Sequence, residues 1–277
     1  MRNTSLLICG LLAFALQSCD NKENLATIST EEQLELVDNS NEAETMTDED
    51  ILVIDSVVDK SASSGGRVAE YLACAAVSRD EEAKTIIVDF GEGCVGPHGR
   101  ERSGKVIITY GGVFGDGLAN RTITFEDYYV NNRNITGEIL VGNFNRNDEG
   151  HLTSTRTLKD YTVNYPDGNS LVINGATVRE WIAGEGDGLL NTNVFRITGS
   201  HEGVSTRGRT FSHTITVPII ADFGCWMSGG FMRTTGVREL VISNADRSRV
   251  RTVDYGDGTC DNEVTVTING NVHTVKS

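Results

Sequence analysis

The sequence predicts an all-β protein, an antiparallel multi-stranded meander arranged as a sandwich, a barrel or an extended twisted sheet. From about residue 67 onward, apolar residues alternate with polar ones, as in Arg121–Phe125 and Glu263–Ile268. Alternation with a period of two is typical of half-buried strands. Turn residues recur about every 8–12 residues without longer helical stretches between them, and this spacing favours antiparallel strands. Roughly a dozen or more strands fit into residues 67–277 at that spacing.

The first element in chain order, residues 1–18, is predicted to be a lipoprotein signal peptide. Arg2 is followed by an apolar run from Leu6 to Leu16, which is too short to span a bilayer and is typical of a cleaved export signal. The Leu-Gln-Ser-Cys ending at Cys19 resembles the lipobox of bacterial lipoproteins, which implies cleavage before Cys19 and diacylation of its sulfur. The alternative is an ordinary secretory signal with an incidental cysteine. Because two or three acyl chains anchor a protein stably, we expect lipid on Cys19 to hold the chain on a membrane.

The second element, residues 19–66, is predicted to be an acidic stalk. The chain carries a formal charge of −15, and residues 20–60 hold 13 of its acids against two lysines, a net of −11. This acidic composition, poor in aromatic residues, disfavours a packed core. A short helix is predicted at 48–59, since Thr47 is a capping residue with three acids after it and Ile51 begins an apolar stripe. On this interpretation the charge keeps the stalk in water.

The third element, the body at 67–277, has a net charge of only −5. Binding to nucleic acid depends on clustered Lys and Arg that neutralise phosphates, so the sequence argues against a nucleic-acid partner. Gly91–Gly96 matches the dinucleotide-binding fingerprint, which works only when a helix follows it. Here a predicted strand, Val106–Tyr110, follows instead, so we reject nucleotide binding.

Four cysteines remain for the body once Cys9 leaves with the signal peptide and Cys19 carries lipid. Four cysteines in an exported chain predict two disulfides, for which three pairings exist: Cys74, Cys94, Cys225 and Cys260. Their positions favour Cys74–Cys94 and Cys225–Cys260, since a hairpin over 71–93 brings the first pair together. A four-cysteine zinc site is the competing interpretation, but the usual close-spaced pairs are absent.

The sequence shows no catalytic constellation. The five histidines lack the spacing of metal ligands, and no Gly-x-Ser-x-Gly nucleophile elbow is present. Trp181, beside Glu180, and Trp226, near Asp222, are the candidates for a carbohydrate site, because each offers a flat ring near a hydroxyl acceptor. The alternative is that both tryptophans belong to the core.

A second candidate site is an acidic, glycine-rich loop near the end of the chain. Asp254, Asp257 and Asp261 are the candidate ligands for calcium, which takes 6–8 oxygen ligands in a pliable loop. Solvated turn acids are the alternative, and we expect no other metal or cofactor.

The lipobox at Cys19, the acidic stalk, the stretch Ile86–Tyr110 and the ending Val253–Gly270 together resemble a family of uncharacterised lipoproteins of Bacteroidota. The resemblance covers most of residues 67–275, implies an outer-membrane location, and carries no assigned activity. We therefore expect a lipid-anchored, non-enzymatic β-rich structural or binding module, exposed on the cell surface, whose protein or glycan partner the sequence does not identify. The alternatives are a carbohydrate-binding or carbohydrate-active surface protein and a calcium-stabilised adhesin.

Overall fold

The computed structural model describes residues 28–58, 72–96, 99–112, 118–244 and 247–276. It contains one long helix, α1 (Thr30–Val58), a short helix, α2 (Phe223–Met227), and a 3-10 helix at Leu190–Thr192. The strands are β1 (Ala76–Asp80), β2 (Thr85–Asp89), β3 (Cys94–Val95), β4 (Glu101–Tyr110), β5 (Arg121–Val130), β6 (Arg133–Arg146), β7 (Leu152–Asn164), β8 (Ser170–Ala183), β9 (Val194–Val204), β10 (Thr210–Asp222), β11 (Arg233–Asn244), β12 (Arg247–Asp257), β13 (Glu263–Ile268) and β14 (Asn271–Lys276).

The strands form a single antiparallel sheet in chain order. Each strand from β1 to β14 pairs with the next one along the chain, except that β3 pairs with β4 to one side of this path. Tight turns make this order possible: Asn269 and Gly270 join β13 to β14, both with positive φ (52° and 82°), as a two-residue hairpin turn requires. The predicted all-β antiparallel meander is confirmed, and it consists of one sheet instead of two packed sheets.

Helix α1 runs through the inside of this sheet. Nine consecutive residues, Met46–Ile54, are all buried, and nine residues make two and a half turns of an α-helix. A helix that is buried on every side must be surrounded, so the sheet curls around α1. The apolar side chains of the helix and those of the inner sheet face form one continuous core.

This position corrects the predicted stalk. A helix in this acidic segment is confirmed, but it is longer than the predicted 48–59, since it has 29 residues and begins at Thr30, and its buried side chains place it inside the sheet where a solvated segment was expected. Thr47 does not cap the helix; it lies in its interior, where its hydroxyl donates to the Glu44 carbonyl at 2.8 Å. The signal peptide, Cys19 and residues 59–66 lie outside the described residues.

Four of the acids of α1 are buried, and arginines of the sheet neutralise them. The helix contains ten acidic residues and neither Lys nor Arg. Asp48 binds Arg156 at 2.5 Å and Arg233 at 2.8 Å, and Glu49 binds Arg102 at 2.9 Å. Seven arginines on the inner face of the sheet are at most 7% exposed: Arg102, Arg121, Arg156, Arg179, Arg233, Arg238 and Arg251. An acidic composition therefore does not mean a solvated segment when the cations come from elsewhere in the chain.

The two ends of the curled sheet differ in their turns. We call the end where α1 begins the proximal end, because Glu35 of α1 pairs there with Arg207 of the β9–β10 turn at 2.6 Å. We call the other end, where Asp55 pairs with Arg121 at the start of β5, the distal end. From β5 onward the described proximal turns are short: 131–132, 165–169, 205–209 and 269–270. The distal connections from β4 onward are mostly longer: 111–120, 147–151, 184–193, 223–232 and 258–262.

Both predicted disulfides are present. Cys74 pairs with Cys94, with Cα atoms 5.7 Å apart, and Cys225 pairs with Cys260, with Cα atoms 5.3 Å apart. The second bridge joins two distal connections, the one that contains α2 and the one between β12 and β13. It therefore fixes the distal end across strands β10 to β13.

Candidate functional site

The distal end contains a cluster of aromatic rings with one buried arginine. Consecutive residues of a strand point to opposite faces, so Arg179 and Trp181 of β8 both point inward while Glu180 points outward. Phe195 of β9 packs against both inward residues: its ring centroid lies 5.4 Å from that of Trp181 and 4.2 Å from the guanidinium carbon of Arg179. We call Arg179, Trp181, Phe195, Phe223 and Trp226 the distal arginine–aromatic cluster.

The cluster brings both candidate tryptophans together. Phe195 contacts Phe223 edge to face, with centroids 5.6 Å apart, and Phe223 contacts Trp226 in the same way at 6.1 Å. Trp226 is buried, whereas Trp181 is partly exposed at the rim. Neither ring stands free as a platform, since each has an aromatic neighbour.

The acids that the sequence places next to the two tryptophans do not join them. Glu180 lies on the opposite face of β8 from Trp181. Asp222 caps α2, because its Oδ1 accepts hydrogen bonds from the backbone N–H groups of Gly224 at 2.7 Å and Cys225 at 3.1 Å. Both acids therefore have other hydrogen-bond partners, and a role of Trp181 or Trp226 in carbohydrate binding stays a prediction.

Arg179 differs from the other buried arginines in its partners. Within the described part of the chain its guanidinium makes no ion pair or hydrogen bond, although the side chain is only 7% exposed. The carboxylate that attracts it most strongly is that of Asp48, whose two oxygens already bind Arg156 and Arg233. Burial lowers the pKa of Arg179 below its ordinary value, and the attraction of Asp48 opposes this only in part. The ring of Phe195 is its main favourable contact, a cation–π interaction.

Three successive inward positions of β8 each carry a buried polar atom without a hydrogen-bond partner among the described residues. These atoms are Thr177 Oγ1, Arg179 Nε and Trp181 Nε1. Buried polar atoms in folded proteins are nearly always paired, and each exception requires an explanation. Thr177 faces the interior beside His201, whereas Arg179 and Trp181 face the distal end.

Deeper in the interior, Glu44 of α1 meets two histidines and Arg238 of the sheet. Arg238 Nη1 lies 3.0 Å from Glu44 Oε1 and donates to His213 Nδ1 at 2.7 Å. His213 therefore carries its proton on Nε2, which lies 3.1 Å from His201 Nδ1. Burial, and then the charge of Arg238, hold the pKa of His213 well below its usual range. Burial acts to raise the pKa of Glu44, but Arg238 and Arg233 outweigh it and hold that pKa well below normal.

Glu44, His201 and His213 present three ligand atoms close enough to share a metal ion. However, Arg238 already supplies the positive charge in contact with both Glu44 and His213. Its N–H also occupies His213 Nδ1, the nitrogen that would carry the proton if Nε2 bound a metal. The arrangement is therefore best described as a buried Glu44–Arg238 ion pair, flanked by two histidines, that helps to hold α1 in the sheet.

A third group lies on the outer face of the distal end. His151 Nδ1 lies 2.8 Å from Glu180 Oε1 and 3.4 Å from Glu149 Oε2, and Arg196 Nη1 lies 3.0 Å from Glu180 Oε2. Asn147 also donates to Glu180, at 2.8 Å. Burial acts to raise the pKa of Glu180, but these hydrogen bonds and the charge of Arg196 outweigh it and lower the pKa. His151 shows no ligand spacing in the sequence, because the fold brings Glu180 to it from the neighbouring strand.

A groove on the outer face of strands β4 to β7 opens near the distal end. It has a volume of about 490 Å³, within the range of ligand pockets. Outward hydroxyls of Thr109, Thr122, Thr155 and Thr157 and the side chain of Leu140 line it. Of the residues that line the groove, Arg121 is charged and the others are neutral, with Leu140 and Val141 as the apolar aliphatic ones.

The predicted calcium ligands satisfy their own turns. Asp254 accepts from the N–H of Gly256 at 2.9 Å, Asp257 from that of Thr259 at 3.1 Å, and Asp261 from that of Glu263 at 3.0 Å. In the described ranges, the groups of His, Cys, Asp and Glu that come close enough to share an ion are the two already given, and neither includes these aspartates.

Comparison with known proteins finds no family model, no curated protein and no solved structure that matches the chain.

Proposed function

We propose that the protein is a lipid-anchored lipoprotein of the bacterial outer membrane whose body is a non-enzymatic binding module that presents its distal end to ligands. Lipid on Cys19 is the membrane partner in this proposal. The lipobox sequence supports the anchor, and the resemblance to lipoproteins of Bacteroidota supports the location. Among the helices of the described residues, none is long and apolar enough to cross a membrane.

The difference between the two ends of the sheet is the observation that supports the orientation. Residues 20–29 separate Cys19 from the start of α1, and a fully extended chain spans at most about 3.5 Å per residue, roughly 40 Å in total. The proximal end, with its short turns, is therefore the end close to the anchor. Long connections on a rigid scaffold commonly carry binding sites, and here they lie at the end that the anchor leaves free.

The test combines the anchor and the orientation. Cys19→Ser should move the protein from the membrane fraction to the soluble fraction, and continued membrane association would contradict the anchor. On intact cells with the natural Cys19, we expect a protease of broad specificity to cleave first at the distal connections, for example at 184–189. Preferential reaction at the proximal turn 205–209 would contradict the orientation.

Carbohydrate binding is a second candidate function, and the outer groove is the observation that favours it. Neutral sugars are recognised by hydroxyl groups together with apolar contact, and the threonines and Leu140 provide both. On a glycan array we expect Thr157→Trp, which fills the groove, to abolish any signal. The matched control is Thr214→Trp on the outer face of β10, away from the groove, which should leave the signal unchanged. A signal that survives Thr157→Trp would exclude the groove.

A further inference from the structure

We propose that Arg179 binds an oxyanionic group, a carboxylate or a phosphate, at the distal end of the sheet, with the indole N–H of Trp181 as the second donor. This proposal names the ligand chemistry of the binding module proposed above. Its test uses purified protein and anions only, so it can fail while the membrane anchor and the orientation still hold.

The charge balance of the interior is the first argument. Seven buried arginines face four buried carboxylates, those of Glu44, Asp48, Glu49 and Asp50. Asp55, at the distal rim, supplies a fifth carboxylate, which pairs with Arg121, and Arg251 donates to Gln33 at 2.6 Å. Arg179 is then the buried arginine for which the described residues provide neither an ion pair nor a hydrogen bond. A buried charge without a partner is costly unless a counter-ion binds it.

The direction of the donors is the second argument. Arg179 and Trp181 are neighbours on the inward face of β8, and both pack against Phe195. Arg179 Nε and Trp181 Nε1 are both buried and both lack an acceptor among the described residues. Two adjacent donors that lack an acceptor indicate a site for an acceptor, and the planar fork of a guanidinium matches a carboxylate or a phosphate.

Access is the third argument. Trp181 is partly exposed, and the connection 184–193 begins three residues after it. The anionic group therefore reaches Arg179 from the distal rim without any movement of α1. The rings of Phe195, Phe223 and Trp181 next to the site favour an anion that is attached to an apolar or ring-shaped body.

Thermal melting of the purified protein at fixed ionic strength tests the proposal. Sodium acetate, sodium phosphate and sodium glucuronate are the probes, and sodium chloride is the reference. We expect a saturable rise in Tm with at least one probe, about 5 °C or more at a concentration a hundredfold above its Kd. Acetate or phosphate alone indicates a free anion, whereas glucuronate that binds more tightly than acetate indicates a carboxylate carried on a sugar ring.

Two variants locate the effect. Arg179→Met keeps an unbranched apolar stem and removes the charged guanidinium, so the anion-dependent rise should vanish. Trp181→Phe keeps an aromatic ring next to Phe195 and removes the N–H donor, so the affinity should fall about tenfold. Arg146→Met is the matched control, because Arg146 is an exposed arginine of the distal end that pairs with Glu185 at 2.6 Å; it should leave the rise unchanged.

Three results would overturn the proposal. One is an equal Tm for the wild-type protein in all four salts. Another is an anion-dependent rise that persists in Arg179→Met. The third covers the case in which Arg179→Met does not fold: an anion affinity of Trp181→Phe equal to that of the wild-type protein then excludes the site.

Discussion

Replacement of Asp48 by Asn tests whether the acids of α1 are essential partners of the sheet. The carboxylate of Asp48 is fully buried and bridges Arg156 and Arg233, which are nearly as buried. Asp48→Asn keeps the shape and removes the charge, so two guanidinium groups lose their counter-ion inside the protein. Removal of one partner of a buried ion pair typically costs about 3–5 kcal/mol. We expect a loss of at least this size, because one substitution affects two pairs.

Urea denaturation followed by circular dichroism at pH 7 measures this loss as a lower midpoint with an unchanged slope. Glu35→Gln is the matched control: Glu35 also pairs with a sheet arginine, Arg207, but at the exposed proximal rim. Exposed ion pairs contribute about 0–1 kcal/mol, so the control should shift the midpoint little. If Asp48→Asn costs less than about 1 kcal/mol, or if the control costs as much, the acidic helix is not held by its buried ion pairs.

Three further predictions concern pH, the disulfides and calcium. The pKa of His213 is lowered in the folded state, so the unfolded chain binds more protons and stability should decrease as pH falls below about 6.5. The lowered pKa values of Glu44 and Asp48 should cause a second loss of stability below about pH 4.5. Urea midpoints that do not fall between pH 8 and pH 3 would contradict both expectations. The double substitution Cys225→Ser and Cys260→Ser opens a loop with a sequence separation of 35. It should lower the free energy of unfolding by about 3–4 kcal/mol in the same assay. A urea midpoint equal to that of the wild type would show that the bridge does not constrain the unfolded chain. The Tm should be the same in calcium and in chelator, because Asp254, Asp257 and Asp261 already bind their own turns, and a clear rise with calcium would favour the adhesin instead.

The strands and their turns could be predicted from local sequence, because a strand that has one face on the core alternates visibly. Ile86, Val88, Val106 and Ile108 are all buried, and each occupies the inward position that alternation predicts. The same alternation of inward and outward positions also indicates the charge inside the sheet. Arg156 and Arg179 occupy inward positions of β7 and β8, and an arginine at an inward position implies either an acid or an anion inside the sheet.

The place of α1 could not be predicted from local sequence, because its partners are distant in the chain. Asp48 and Arg156 are more than a hundred residues apart. A composition rule treats each segment as if it met only water, and on that basis the burial of four acids within residues 30–58 is too costly to occur. The distal arginine–aromatic cluster could not be predicted from local sequence for the same reason, since Phe195 and Phe223 come near Trp181 only in the folded sheet.

The interior position of α1 also explains why this segment is a helix at all. Like charges four residues apart destabilise an isolated helix, and α1 contains such pairs at Glu31 and Glu35, Asp38 and Glu42, and Glu44 and Asp48. The helix therefore depends on the arginines of the sheet for its stability. The inner face of the sheet, with its seven buried arginines, depends in turn on the acids of α1. Neither part is neutral without the other, so the charge of the acidic segment serves the interior of the fold, and the two must form together.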